Sequence, residues 1–309
     1  MPRSGLLAIL ISGLLIPAHS QKPNPFSGRW DVEVSPTGSN AAIYPDWMEV
    51  AGAEGAATVR IQPRTGSAFT TNKLKIEGSH LTVTWPQGDT TWELDLTENR
   101  INGTERHSGN VFAFLAGVRA PALDRKPPAA WSDPQALFNG KDLSGWEPIG
   151  SGKKNNWTAK DGELVNQAAG ANLRTSRTFN DFKLHVEFNC PNEGNSGVYL
   201  RGRYEVQIEY EAPSANDALH AMGAIYSFIA PSMNLGRKPG AWESYDITLV
   251  GRRVAVFRNR IKTINDQEIP GPTGGAIDAN EGDSGPIYLQ GDHTGGLRFR
   301  NMTIQVPKK

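Results

Sequence analysis

With 309 residues, 32 Lys and Arg against 32 Asp and Glu, and 38% hydrophobic residues, the chain has room for two globular units and no net charge. That balance leaves no basic excess for nucleic acid and no acidic tail for a cationic partner. Gly (33) and Pro (21) are frequent without a short repeat, which suits a turn-rich all-β protein better than a helical one.

The first 20 residues read as a secretory signal peptide. Arg3 precedes an apolar run over 6–16, and Ala18-His19-Ser20 places small residues at the cleavage-defining positions. The run is too short for a bilayer core of ~30 Å, which needs roughly 20 residues, and no later segment is long and apolar enough to be a span. The expectation is therefore a secreted or periplasmic protein with no membrane span. Cys190 is the only cysteine, so the fold holds no internal disulfide, and the residue reads as a small buried strand position.

Strand signals open at 26–34 and continue at 57–61, 73–76, 80–85, 91–96, 100–105 and 111–118. Gly, Asn, Asp and Pro separate them, as in LKIEGSHLTVTWPQGDTTWELDLTENRINGTE. Short strands at this spacing predict an antiparallel barrel or meander over 21–124. The Gly28-Arg29-Trp30 opening resembles the start of a lipocalin-like barrel. Trp47, Trp85 and Trp92 belong either to its core or to a stacking surface. This part of the chain either docks a second domain or adds a wall to its site. ALDRKPPAAWSDP (122–134), with three prolines and no periodicity, predicts a linker over 125–135.

A second set of strands follows at 163–166, 183–189, 197–209, 224–228, 244–250, 253–258, 286–290 and 297–306. Many antiparallel strands with long connections predict two packed sheets over 136–309, a jelly-roll sandwich. Parity sorts the faces. Phe182, Leu184, Val186 and Phe188 point one way; Lys183, His185, Glu187 and Asn189 point the other. Read as one strand, 197–209 sends Val198, Leu200, Tyr204, Val206 and Ile208 inward. Tyr199, Arg201, Arg203, Glu205, Gln207 and Glu209 then form an outward row. Long planar hydrogen-bonding groups of this kind suit vicinal sugar hydroxyls, but the row also fits a solvated sheet face. Near the C-terminus the apolar phase slips by one at Arg300-Asn301, which predicts a bulge.

The segments FNGKDLSGW, NSGVYLRGRYEVQI, MGAIY, AWESYDITLVG and GPIYLQGDHTGGLRFRNMTI occur in this order between 137 and 306. In them the chain resembles the 3-keto-disaccharide hydrolase domain family. The resemblance implies a concanavalin A-like β-sandwich and a carbohydrate substrate, a glycoside oxidised at C3. It also implies cleavage by removal of the C2 proton and departure of the C1 group. Such chemistry requires a base, a partner for the enolate oxygen and a proton for the leaving group.

Matching motif positions make Glu187 or His293 the base, with His185 behind them, and Arg201 the partner of the enolate or a hydroxyl. Asn195, Ser196, Arg203, Glu205, Gln207, Glu209, Tyr226, Trp242, Gln290 and Arg300 form the substrate-binding set. These motifs fix no cofactor, although His185, Glu187, Asp292 and His293 together could hold a divalent metal. Two other functions fit the same sandwich: a non-catalytic sugar-binding module, and an endo-glucanase suggested by Glu205-x-Gln207-x-Glu209. In an extended strand the Cα atoms of Glu205 and Glu209 stand ~13 Å apart, against carboxyl groups ~5–5.5 Å apart in a retaining pair.

Overall fold

The computed structural model describes residues 24–39, 41–150, 152–209, 217–236 and 238–308, so the expected signal peptide lies outside the described residues. The first nine strands are β1 (Gly28–Pro36), β2 (Tyr44–Ala51), β3 (Thr58–Gln62), β4 (Phe69–Thr71), β5 (Leu74–Glu77), β6 (His80–Thr84), β7 (Thr90–Thr97), β8 (Arg100–His107) and β9 (Asn110–Arg119). They form one antiparallel sheet in the order β4-β3-β2-β1-β9-β8-β7-β6-β5.

Pairing of β1 with β9 joins the two ends of the meander, Trp30 lying opposite Arg119. The two ends of the sheet also approach each other: the Thr71 hydroxyl of β4 donates to the Thr84 carbonyl of β6 at 3.2 Å, and the Phe69 ring lies 4.8 Å from Trp85. The sheet is thus a nearly closed barrel around Trp30, Val32, Val34, Met48, Ile61, Val83, Trp92 and Leu94. Trp92 is core, its indole donating to Glu105 at 3.1 Å. Strand β2 escapes the sequence reading because Pro45 and Asp46 interrupt its apolar pattern, yet both are buried in the structure.

The rest of the chain supplies β10 (Gln135–Ala136), β11 (Trp146–Ile149), β12 (Trp157–Lys160), β13 (Glu163–Asn166), β14 (Asn172–Thr175), β15 (Phe182–Asn189), β16 (Asn195–Leu200), β17 (Tyr204–Glu209), β18 (Trp242–Val250), β19 (Arg253–Arg258), β20 (Ile261–Glu268), β21 (Tyr288–Leu289) and β22 (Leu297–Gln305). Eight of them make one sheet, β12-β13-β22-β15-β18-β19-β20 with β10 beside β22. The other five make a second, β11-β14-β21-β16-β17. Between the sheets lies one apolar core that includes Leu184, Val186, Phe188, Val198, Val206, Ile208, Leu289 and Phe299. Cys190 is buried in it, and desolvation pushes its thiol up to about 12. Among the described residues the only helix is the three-residue 3₁₀ turn Ala218–His220, and no helix is long and apolar enough to cross a membrane.

Two strand predictions need correction. Residues 197–209 are not one strand but the hairpin β16–β17, turning at Arg201-Gly202-Arg203. Arg201 and Gly202 take φ +52° and +68° there; glycine tolerates that region and so permits the reversal. Residues 224–228 hold only isolated bridges and turns, with Ser227 at φ +64°. The bulge is present as predicted: His185 pairs with Thr303 but Glu187 with Arg300, and Asn301 has φ +49°.

The barrel packs on the sandwich through named contacts. Trp47 meets Phe228 edge-on at 5.5 Å, and Arg252 donates to the Pro121 carbonyl at 2.6 Å. Glu268 pairs with Arg29. Asp31 sits on the outward parity of β1 and is nonetheless buried, because the sandwich covers it.

Candidate active site

The open face of the five-stranded sheet is the floor of a cleft of about 900 Å³. That volume is within the ~300–1,000 Å³ usual for small-molecule sites. From the hairpin come Tyr199, Glu205, Gln207 and Glu209. Cross-strand pairing sets Tyr199 opposite Glu205 and Gly197 opposite Gln207, so the odd residues of both arms face the same way. Strand β21 and its extension add Tyr288, Gln290 and Asp292, again alternating, with His293 next in sequence. Asn172 and Arg174 come from β14. The barrel builds the opposite wall with Ile43, Tyr44, Pro45 and residues 64–67.

Tyr199 and Tyr288 stack with ring centroids 4.0 Å apart and planes 10° from parallel. The Tyr199 hydroxyl donates to the Gly274 carbonyl at 2.7 Å, which fixes this aromatic platform to the 274–277 loop. Glu205 lies beside it, 3% exposed and hydrogen-bonded to Tyr199. Burial raises its carboxyl to about 8 against the help of that hydrogen bond, and the charges of Glu209 and Asp292 add to the effect. At neutral pH Glu205 is therefore a neutral acid. Its neighbours Gln207 and Gln290 are also buried, and the side-chain carbonyl of each lacks a protein partner. A buried amide oxygen in that state is costly until a donor reaches it, and sugar hydroxyls are donors of the right size.

Asp292 joins two other groups. Its Oδ1 lies 2.9 Å from His293 Nδ1, and its Oδ2 accepts from Lys153 Nζ at 2.8 Å. Burial works upward on this carboxyl, but His293 and Lys153 hold it well below the usual range. The same hydrogen bond raises His293 against partial desolvation. With Nδ1–H donated to Asp292, Nε2 carries the lone pair.

The sequence candidates divide accordingly. Asn195, Glu205, Gln207, Glu209, Tyr226, Gln290, Asp292 and His293 line the cleft. Glu187 does not. It lies on the outer face of the eight-stranded sheet, across the core, paired with Arg300 at 2.7 Å. His185 pairs there with Asp246 at 2.7 Å, and Arg300 covers the Trp242 ring at 3.8 Å. These four belong to an ion-paired sheet exterior. The four metal candidates fall into two separate pairs, and among the described residues no group of three or more His, Cys, Asp or Glu side chains is arranged to hold a metal ion.

Arg201 and Arg203 occupy the hairpin turn, not the outward row. Arg201 is fully buried and donates to the Tyr204 hydroxyl at 2.8 Å, while Arg203 is held by Asp278 at 2.7 Å. Ser196 points to the core side and donates to the Gln290 carbonyl at 2.7 Å, so it supports the site from behind. Sequence reasoning missed Lys153, Asn172, Arg174 and Tyr288. The alternation Tyr288, Gln290, Asp292 could have revealed the last; the loop position of Lys153 carries no periodic signal.

The 3-keto-alpha-glucoside-1,2-lyase-like domain family matches residues 133–305. No curated protein matches the chain. Among solved structures, a candidate glycosyl hydrolase from Parabacteroides distasonis shares 30% identity, covering 57% of this chain and 84% of its own, at a TM-score of 0.48. A second from the same organism shares 21% identity over 58% and 94%, at 0.47. Domain 4 of AbnA, an extracellular arabinanase from Geobacillus stearothermophilus solved with arabinotriose, shares 11% over 59% and 94%, at 0.39. The family match spans more than half of the chain and contains the floor of the cleft, and by it this protein belongs to the 3-keto-alpha-glucoside-1,2-lyase-like domain family, enzymes acting on glycosidic bonds.

Proposed function

We propose that the protein cleaves glycosides already oxidised at C3, by elimination followed by hydration. The observation that carries the reading is the shared carboxylate. Asp292 holds His293 on one oxygen and Lys153 on the other, so a base and a cation stand side by side. A 3-keto sugar presents an acidic C–H at C2 and a carbonyl oxygen at C3, on adjacent carbons, and this pair of groups matches them.

His293 Nε2 removes the C2 proton while the Lys153 ammonium receives the charge that develops on O3. The C1–O bond breaks, and the neutral Glu205 carboxyl gives its proton to the departing oxygen. Water then adds at C1 and a proton returns to C2, so the net reaction is hydrolysis. The Tyr199–Tyr288 platform and the free amide oxygens of Gln207 and Gln290 support binding of the ring and its hydroxyls. A conventional carboxylate pair has less support, because Glu205 and Glu209 lie four residues apart along β17.

The test is a 3-keto-glucoside cleaved in D₂O. Deuterium at C2 of the released 3-keto-glucose, and no cleavage of the unoxidised glucoside, is the expected result. Release without C2 exchange, or equal turnover of the unoxidised sugar, rejects the mechanism. His293→Ala and Lys153→Ala should each lower kcat by roughly 100- to 10,000-fold.

A further inference from the structure

A second set of reactive groups stands at the barrel side of the cleft, and the reaction above makes no use of it. Ser67 sits on the barrel loop 64–67, and its Oγ lies 2.7 Å from His220 Nε2. The other ring nitrogen of His220, Nδ1, is hydrogen-bonded to Asp217 Oδ1. With Nδ1–H given to the carboxylate, Nε2 is the acceptor for the serine proton. Tyr226 completes the group: its ring packs 4.7 Å from that of His220, and its hydroxyl hydrogen-bonds Ser67. All four residues line the cleft, and Ser67 is exposed to it.

A hydroxyl on an imidazole nitrogen, an imidazole oriented by a carboxylate and a phenol beside the hydroxyl are the parts of acyl-transfer catalysis. Identification rests on geometry and roles, because unrelated folds assemble the same parts in different chain orders. Here the chain order is Ser67, Asp217, His220, with the serine contributed by the barrel and its partners by the sandwich.

We propose that Ser67, His220 and Asp217 form a nucleophilic triad that removes acyl groups from O-acylated sugars in this cleft, with Tyr226 as the donor to the oxyanion. Ser67 Oγ forms a bond to the acyl carbon as its proton passes to His220 Nε2. The ester C–O bond then breaks, and His220 returns that proton to the departing sugar oxygen. Water, deprotonated by His220, hydrolyses the acyl-serine; the carboxylic acid leaves and Ser67 recovers its proton. No other reactant is needed. The acyl chemistry stands independently of the 3-keto reading, whereas the sugar alcohol as leaving group rests on the carbohydrate reading of the cleft.

The test is covalent labelling of the intact chain by a fluorophosphonate, with the modified residue found by peptide mass spectrometry. One adduct on Ser67 is expected, absent from Ser67→Ala and formed at least ~100-fold more slowly in His220→Ala. No adduct, an adduct elsewhere, or an unchanged rate in His220→Ala overturns the triad and reduces the Ser67–His220 bond to a clasp between barrel and sandwich.

Ser67→Cys gives an independent reading, because Cys190 is the only native thiol and is buried. Alkylation of the new cysteine by iodoacetamide should titrate below the ~8.5 of a free thiol; titration at or above that value counts against activation by His220. Release of acetate from an O-acetylated methyl glucoside, lost in Ser67→Ala, is the expected substrate result. Labelling of Ser67 without that release overturns the sugar-ester assignment. The labelling is blind to glycoside cleavage, so its failure leaves the 3-keto reaction untouched, and failure of that reaction leaves the labelling result standing.

Discussion

Replacing Glu205 by Gln makes permanent the uncharged state that the fold imposes on this side chain. The ordinary carboxyl value of 4.5 rises to about 8 for a group that is fully buried. Below pH 4.5 the carboxyl is protonated in both folded and unfolded chains and pH has no effect through it. Between 4.5 and 8 the unfolded chain has released the proton and the folded chain has kept it, so stability falls as pH rises. At ~1.4 kcal/mol per pH unit the loss reaches about 5 kcal/mol by pH 8. Glu205→Gln removes that dependence, since Gln has no proton to release. Urea midpoints at pH 5 and pH 8 should separate strongly for the native chain and much less for the variant. Other titrating groups, Asp31 among them, contribute to both chains and cancel in the difference. The same variant separates the catalytic role: cleavage of a 3-keto-glycoside with an alkoxide leaving group should fall ~100-fold or more. A 4-nitrophenyl leaving group, which departs without a proton, should suffer far less. Parallel stability curves for the two chains over pH 5–8 would refute the buried neutral carboxyl, and with it the acid.

Asp292→Asn removes the carboxylate that raises His293. A base must be neutral, so activity is lost as pH falls through the His293 value; the acid limb of kcat/KM should move to lower pH in the variant while kcat drops. Glu187→Gln and Arg300→Ala break a partly exposed ion pair on the outer sheet face. Each should leave turnover within twofold and cost ~1 kcal/mol or less in chemical denaturation. Gly275→Ala adds a Cβ that would meet the Tyr199 hydroxyl at 2.4 Å, at a residue with φ +80°; displacement of the tyrosine platform should appear as a raised KM for 3-keto-glycosides.

Why parity found most of the cleft although the strand reading was wrong follows from the hairpin register. Tyr199 pairs with Glu205, so the turn joins odd residue to odd residue, and a row read along one strand folds back onto the same face. Only the residues in the turn itself, Arg201 and Arg203, were misplaced. The L-R-G-R-Y sequence held the warning, since glycine between two charged residues favours a reversal over an uninterrupted strand. Glu187 failed for another reason. Polar alternation marks a face turned away from the core, and both sheets of a sandwich have one. The face that becomes a cleft is the one the barrel wall stands beside, and that depends on contacts such as Trp47–Phe228, far apart in sequence. Lys153, Ser67 and His220 were silent for the same reason: loops carry no period.

The same junction makes barrel and sandwich one unit of stability. Arg252 is bound to Glu281 at 2.9 Å, and both are almost completely buried. Glu281 accepts from the Tyr204 hydroxyl at 2.6 Å, which in turn accepts from Arg201. Burial and the Glu281 charge raise the carboxyl of Asp31, delivered by β1 of the barrel, so that it enters this network uncharged. Separating the barrel would bring water to a network built to be dry and remove the cover of Trp47 as well. Calorimetry of the intact chain should therefore give one unfolding transition. Arg252→Ala strands a buried carboxylate at a cost of ~3–5 kcal/mol and should lower that whole transition. Gly271→Ala, whose Cβ would meet the Trp47 indole at 2.3 Å, should split it. Two resolved transitions in the unaltered chain would mean that the barrel folds without the sandwich, and that the wall it lends to the cleft is a detachable one.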